Sequence, residues 1–324
     1  MKTKSFALLV CALAALLSLC LGAAAISPAE LLDAIRSGPG TTAGRIFYYV
    51  RLPRTAGCLL AGAALSTAGC VIQNVLCNPL ASPNIIGVNA GAGLAVTVCC
   101  AFGWLSGWAM AAAAFGGAFL AVMLVTCAAR LAGASRTTVI LSGVAVNAFL
   151  GAMSDTVTNL VPDAAVLSSD FRVGGFGAVV TARLVPAGIL IVLALGAVFV
   201  LHNELELLSL GEDTARTLGL NANRMRTVFL GLSAVLCGAA VSFAGLLGFV
   251  GLIVPHAVRR FAGTACSRLL PLCALWGGAF VTVCDLIARL LFRPRELPVG
   301  ILLSALGGPF FLYLLSRRGG KRHG

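Results

Sequence analysis

The sequence is short of charge, and shortest of acid. Of 324 residues only 11 are Asp or Glu against 23 Lys and Arg, and charged side chains make up 10% of the chain. With 59% hydrophobic residues and a mean hydropathy of +1.00, a soluble fold is excluded, because no soluble surface could be assembled from so few polar groups. Lysine is almost missing: Lys2, Lys4 and Lys321 are the three present. The net charge of +12 therefore rests on arginines, most of them in short loops between apolar runs. That distribution belongs to membrane orientation and not to a nucleic-acid surface. Catalytic and cofactor motifs are also absent. There is no G-x-x-x-x-G-K-[ST] phosphate loop, no H-E-x-x-H and no Ser/His/Asp set, so the chain cradles no nucleotide by that route and carries no covalent chemistry of those kinds. The 12 cysteines form no C-x-x-C pair and no Cys/His cluster, and most lie in apolar runs where a thiol acts as a small hydrophobe. No metal site is expected.

What is present is a series of apolar runs about 20 residues long, the length a helix needs to cross a bilayer. Ten candidate segments fall at 6–25, 55–76, 85–103, 108–129, 137–160, 183–202, 227–247, 249–262, 270–291 and 298–315. The fold class read from them is all-α: a polytopic membrane protein of about ten transmembrane helices in a single domain, 1–324. The run 6–25 with Lys2 and Lys4 has features of a secretory signal, including Ala23, Ala24 and Ala25 as a cleavage-like site. Its length favours a retained first helix. The 38 glycines suit close helix packing, with Gly87/Gly91 and Gly103/Gly107 at small-xxx-small spacing.

An even number of segments puts both termini on one side. Taking that side as cytoplasmic places 14 of the 23 Lys and Arg inside, including all three lysines, as the positive-inside rule requires. The polar island at 203–226 is then cytoplasmic. It holds Glu204, Glu206, Glu212, Asp213, Arg216, Arg224 and Arg226. Within it, 207–220 reads as one short helix. Ser209 and Glu212 have capping-box spacing, Glu212 and Arg216 stand one turn apart, and Gly219 suits a left-handed stop. Such a helix is far too short to cross a bilayer, so it is displayed for a partner to grip.

On the outer side arginines gather at Arg51 and Arg54 and at Arg289, Arg293 and Arg295. Two readings stand: a dock for an acidic protein surface, or helix ends anchored by snorkelling side chains. The stretch 78–93, with two prolines, three asparagines and three glycines, reads as a broken helix start whose backbone can line a cavity. Asn84, Asn89 and Asp155 are the candidate pathway residues. Asp155 and Asp285 are carboxylates in or near the membrane, either functional or satisfied locally, as Asp285 would be by Arg289 at i+4. His256 reads as a helix-end residue near the cytoplasmic surface.

Four blocks then carry a resemblance. They are RLPR at 51–54 with GAALSTAG at 62–69; Gln73 to Gly93 with NPLA at 78–81 and GVNAG at 87–91; LSLGEDTARTLG at 208–219; and GFVGLIVPH at 248–256 followed by Arg289, ELPVG at 296–300 and PFFLY at 309–313. Together, in this order and over nearly the whole chain, they resemble the FecCD family of ABC-transporter permeases, which carry vitamin B12, haem and ferric siderophores. The resemblance implies a homodimer with ten helices per subunit and a pathway on the two-fold axis. It also implies ABC ATPase subunits on the cytoplasmic face that bind ATP and Mg, no cofactor in this chain, and an extracytoplasmic substrate-binding protein. Gly211, Glu212, Ala215, Arg216, Leu218 and Gly219 would couple to the ATPase, and Arg51, Arg54 and Arg289 would meet acidic residues of the binding protein. The stretch FRVGGF at 171–176 departs from the family's pattern in a region that helps gate the outer half. The implied function is ATP-driven import of an iron chelate or cobalamin. The alternative is an ion-coupled secondary transporter using Asp155 or Asp285, and a third class is a receptor or scaffold that moves nothing.

Overall fold

The computed structural model describes residues 2–22, 27–133, 135–292 and 295–319. Among them no strand occurs. The chain begins with α1 (Lys2–Cys20), α2 (Pro28–Ser37) and α3 (Thr42–Ile46), which runs through a π-turn at Phe47–Arg51 into α4 (Leu52–Val75). A 3-10 turn at Pro83–Ile86 leads to α5 (Val88–Ala101), α6 (Gly107–Leu131) and α7 (Arg136–Leu160). Two short helices follow, α8 (Pro162–Leu167) and α9 (Ser169–Val173), then α10 (Thr181–Val200). The polar island folds as α11 (His202–Ser209) and α12 (Glu212–Thr217). The chain closes with α13 (Ala222–Ala244), α14 (Val250–Ala262), α15 (Cys266–Leu291) and α16 (Val299–Gly319). A helix lies on each of the ten expected segments, and seven described helices are long and apolar enough to cross a membrane. The α5 and α14 helices have only 14 and 13 residues.

The α4 helix is the axis of the molecule. It packs against α15, α13 and α14, while α6 joins α5 to α13, α10 lies on α13, and α1 lies on α15. In a bilayer, lipid tails are as apolar as leucine, so close packing must hold such helices together. Two glycines of α4 show how close. A Cβ on Gly62 would lie 2.2 Å from the Gly277 carbonyl oxygen of α15, and one on Gly69 would lie 2.0 Å from that of Gly251 in α14. Ser66, between them, donates to the Cys273 carbonyl at 2.7 Å. The α5–α6 contact repeats the device with Gly91 against Gly117. Gly103 does not belong to such a seam: it ends α5 at φ +71° with open space around it, so the expected Gly103/Gly107 pair is a helix stop and not a contact. All 12 cysteines are free thiols.

Two breaks interrupt the helices. Between α13 and α14, Gly245 (φ +70°) and Phe249 (φ +63°) reverse the backbone. The freed groups find partners in the 171–175 segment: Leu246 N–H donates to the Phe171 carbonyl at 2.9 Å and Gly175 N–H to that of Ala244 at 2.8 Å. The Phe249 ring fills the space a side chain at Gly307 of α16 would need. Non-helical backbone at this depth is tolerated because protein surrounds it. The other break is the 78–87 stretch described below.

Candidate functional site

The polar island is two helices rather than one. Gly211 sits between them at φ +122°, a conformation that no Cβ-bearing residue adopts comfortably. The expected capping box is not made: the Ser209 hydroxyl donates to the Glu206 carbonyl at 2.6 Å, and α12 starts at Gly211 with no side-chain cap. Serine prefers this local backbone bond once the chain turns at Gly211. The stop at Gly219 (φ +83°) is a Schellman motif, with Leu220 N–H on the Ala215 carbonyl and Gly219 N–H on that of Arg216.

Side chains fix the island to four membrane helices. Leu205, Leu208 and Ala215 are buried. Glu212 accepts from Arg216 at 2.7 Å and from Arg226 of α13 at 2.6 Å. Partial burial pushes the Glu212 carboxyl up, but Arg226, Arg216 and Arg136 outweigh that and hold it below its ordinary value. Glu206 accepts the backbone N–H of Cys266 at 3.2 Å, at the start of α15. Cys77, just past α4, donates to the Ser209 carbonyl at 3.4 Å, and Arg136 of α7 reaches the Leu208 carbonyl at 3.5 Å. Asp213, Thr214, Arg216, Thr217, Leu218 and Gly219 form the exposed face. Of the six residues expected to couple, Ala215 is the one at 0% exposure. It anchors α12 and presents nothing outward.

At the opposite end, Arg51, Arg54 and Arg289 come together but point inward, with 3%, 5% and 2% exposure. Asp285, at 0%, receives Arg54 Nη2 and Arg289 Nε at 3.0 Å each. Arg54 Nη1 meets Glu296 at 2.6 Å, and the Glu296 side chain is 37% exposed. Arg289 Nη2 donates to Ser18 at 2.8 Å, and Ser18 bonds Thr55. Arg51 donates to the last carbonyls of α1, Leu19 at 2.8 Å and Cys20 at 2.7 Å, where cations suit the helix dipole. These three guanidinium groups, expected to meet acidic residues of a binding protein, are thus turned inward. Buried charges must be paired, and Asp285, Glu296 and the end of α1 pair them. Arg293 and the cleavage-like alanines 23–25 lie outside the described residues. Arg295 is exposed.

The broken start of α5 and the first turn of α14 are each held by a side-chain amide to which the sequence assigned no role. Asn147 of α7 donates to the Asn84 carbonyl at 2.8 Å, and Gln73 of α4 donates to that of Gly251 at 3.0 Å while accepting from Arg259. Their signal was there: an Asn and a Gln inside apolar runs. Of the pathway candidates, Asn84 and Asp155 are exposed and Asn89 is half-buried. They do not converge. Asn147, the α7 neighbour of Asn84, lies eight residues before Asp155 on the same helix, roughly 12 Å away. Asp155 shares the outer half of α7 with exposed Thr156 and Asn159, a polar strip on a membrane helix. In the divergent 171–176 stretch, Arg172 donates to Ser154 of α7 at 2.6 Å. His256 lies edge-on to Phe310, ring centroids 5.7 Å apart, and no metal-binding group of three or more His, Cys, Asp or Glu occurs among the described residues.

Comparison with known proteins gives a uniform picture. A family model described as the FecCD transport family matches residues 9–317. The chain is 34% identical to a hemin transport system permease protein of Yersinia pestis, over 86% of this chain and 85% of that one. It is 36% identical to a vitamin B12 import system permease protein of Salmonella paratyphi A, over 94% and 91%. A solved inward-facing structure assigned to the metal-chelate type of ABC transporters superposes with a TM-score of 0.85 at 27% identity, covering 98% of this chain and 99% of that one.

Proposed function

Since the chain belongs to the FecCD transport family, we propose that its geometry is that of the membrane-spanning permease subunit of an ABC importer for an iron chelate or cobalamin. It is a transport component and not an enzyme. The observation that carries the mechanism is the island at 202–226. Its exposed face lies on α12, which Glu212 ties to Arg226 of α13, while α11 is bonded to residues at the ends of α4, α7 and α15. A partner that displaces α12 therefore pulls on the end of α13 directly and on the other three through α11. That partner is a separate ATPase holding ATP and Mg, gripping Glu212, Arg216, Leu218 and Gly219 around the Gly211 hinge, with Ala215 as the internal anchor. The Lys and Arg distribution supports both termini and this island being cytoplasmic.

A homodimer is supported by α7, whose exposed Asp155, Thr156 and Asn159 would be costly against lipid and are accommodated along an aqueous path between two copies. Asn84 and Asn89 lie at the other end of the same path. The outer arginines are reached by exchange. A carboxylate of the docking binding protein replaces Glu296, the most exposed member of its cluster, on Arg54. Glu296→Gln should then tighten docking, and weaker docking would count against exchange. The ion-coupled alternative draws no support from Asp285, which would have to break two ion pairs to take up a cation. Reconstitution of the chain with its ATPase and binding protein in proteoliposomes tests the reading. Uptake of haem, a ferric siderophore or cobalamin should require ATP, and Leu218→Asp should abolish it. Uptake driven by an ion gradient without ATP would refute it.

A further inference from the structure

A cavity of about 410 Å³ opens between the ends of α6, α7 and α13 on the side of the polar island. Its polar lining is Arg130, Arg224, Arg226, Asn223, Thr126 and Thr227, with an apolar floor that includes Val139 and Leu230. No carboxylate lines it. Arg226 is committed to Glu212 at 2.6 Å. Among the described residues Arg130 has the Thr227 hydroxyl at 2.7 Å as its one side-chain partner, and the exposed Arg224 guanidinium has none. Two positive charges therefore face one concave space without neutralisation, beside hydroxyl and amide donors. That set matches a phosphate group. The place argues for the source of the phosphate. The site lies where three membrane-spanning helices end, at headgroup depth, and the residues next to Arg130 and Thr227, Leu131 and Val228, are apolar and exposed. Basic pockets between helix ends on this side of a membrane suit anionic headgroups.

We propose that the Arg130–Arg224 cavity binds the phosphate headgroup of an anionic membrane phospholipid. Its floor takes the glycerol end and its apolar rim the start of an acyl chain. Binding itself is independent of the importer reading. A consequence rests on that reading: the bound phosphate sits beside Arg226, whose pair with Glu212 holds α12, so the lipid tunes the grip on the ATPase.

The test is a titration of the purified full-length chain in detergent with phosphatidylglycerol, phosphatidylcholine or inorganic phosphate, read by native mass spectrometry and by thermal shift. The doubly neutral variant Arg130→Gln/Arg224→Gln is compared with Arg36→Gln/Arg45→Gln, which changes two exposed arginines on the opposite side. Phosphatidylglycerol should be retained by the wild type and by the control variant, and retained on the order of tenfold or more weakly by the cavity variant. Equal retention of phosphatidylglycerol and phosphatidylcholine would overturn the proposal, as would an unchanged cavity variant. A shift produced by inorganic phosphate alone, at the same strength, would overturn the lipid assignment. ATPase rates of the assembled complex in nanodiscs with and without phosphatidylglycerol then test the consequence separately. Unchanged rates alongside specific binding would sink the tuning and leave the site.

Discussion

Replacing Asp285 by Asn removes the anion at the centre of the outer cluster while keeping its shape. Two guanidinium groups lie 3.0 Å from its oxygens, and the side chain is 0% exposed. At an effective dielectric near 20, each contact is worth roughly 5 kcal/mol of gross Coulomb attraction. Desolvation offsets much of that, but leaving a buried cation without its partner costs about 3–5 kcal/mol. An Asn oxygen can still accept from one arginine, which points to the lower half of that range. For a chain of this size the loss corresponds to a fall in Tm on the order of 5–8 °C. The comparison is Glu296→Gln, whose side chain is 37% exposed and whose pair should contribute no more than about 1 kcal/mol. Thermal unfolding in detergent, followed by tryptophan fluorescence, separates the two. Asp285→Asn/Arg289→Gln removes an anion and a cation together, and should cost less than the sum of the single changes by about 1–2 kcal/mol. The reasoning fails if Asp285→Asn melts within about 1 °C of wild type, or if Glu296→Gln is equally damaging.

Further outcomes follow from other parts of the structure. Gly211→Val places a β-branched residue at φ +122°, where its backbone is strained. ATP-driven uptake should fall on the order of tenfold or more while the chain still inserts, and normal uptake would refute the hinge. Gly69→Leu drives a side chain into the Gly251 carbonyl, 2.0 Å from the Cβ position, whereas Gly116 has open space within 4 Å. The first should cost about 3 kcal/mol or more and broaden the size-exclusion peak, and Gly116→Ala should not. Glu212 is held below its ordinary value by Arg226, Arg216 and Arg136. Its contribution is therefore complete above the unfolded carboxyl range, near pH 4, and is lost as pH falls through the lower folded value. Limited proteolysis of 202–226 should stay constant from pH 8 to 5 and rise only in stronger acid. Arg226→Gln should move that rise toward neutral pH, and a wild-type transition between pH 5 and 7 would contradict the pairing.

The membrane helices were legible because each is a long apolar run, and length against bilayer thickness is a strong physical constraint. The Glu212–Arg216 pair and the Gly219 stop were legible because both depend on spacing along one turn. The split of the island at Gly211 was not, since a glycine inside a short helical pattern costs only about 1 kcal/mol and tertiary bonds from Cys77, Arg136 and Cys266 decide the geometry. Nor was the inward turn of Arg51, Arg54 and Arg289. Arginines at helix ends read alike whether they point to solvent or to a buried carboxylate 231 residues away, as Arg54 does to Asp285. Gln73 and Asn147 matter for carbonyls of breaks elsewhere in the chain, a relation that no local window contains.

The bond from Arg289 to Ser18 spans 271 residues, and it sets an order of events during biogenesis. Arg51 and Thr55 answer the end carbonyls and Ser18 of the first helix within 37 residues, but the Arg289 guanidinium that ties Ser18 to α15 is made much later. At roughly 5–20 residues per second, that is a wait of roughly 15–55 s in which α1 is held by Arg51 and Thr55 but not yet tied to α15. Quality control of this protein has a natural checkpoint in whether that late bond has closed.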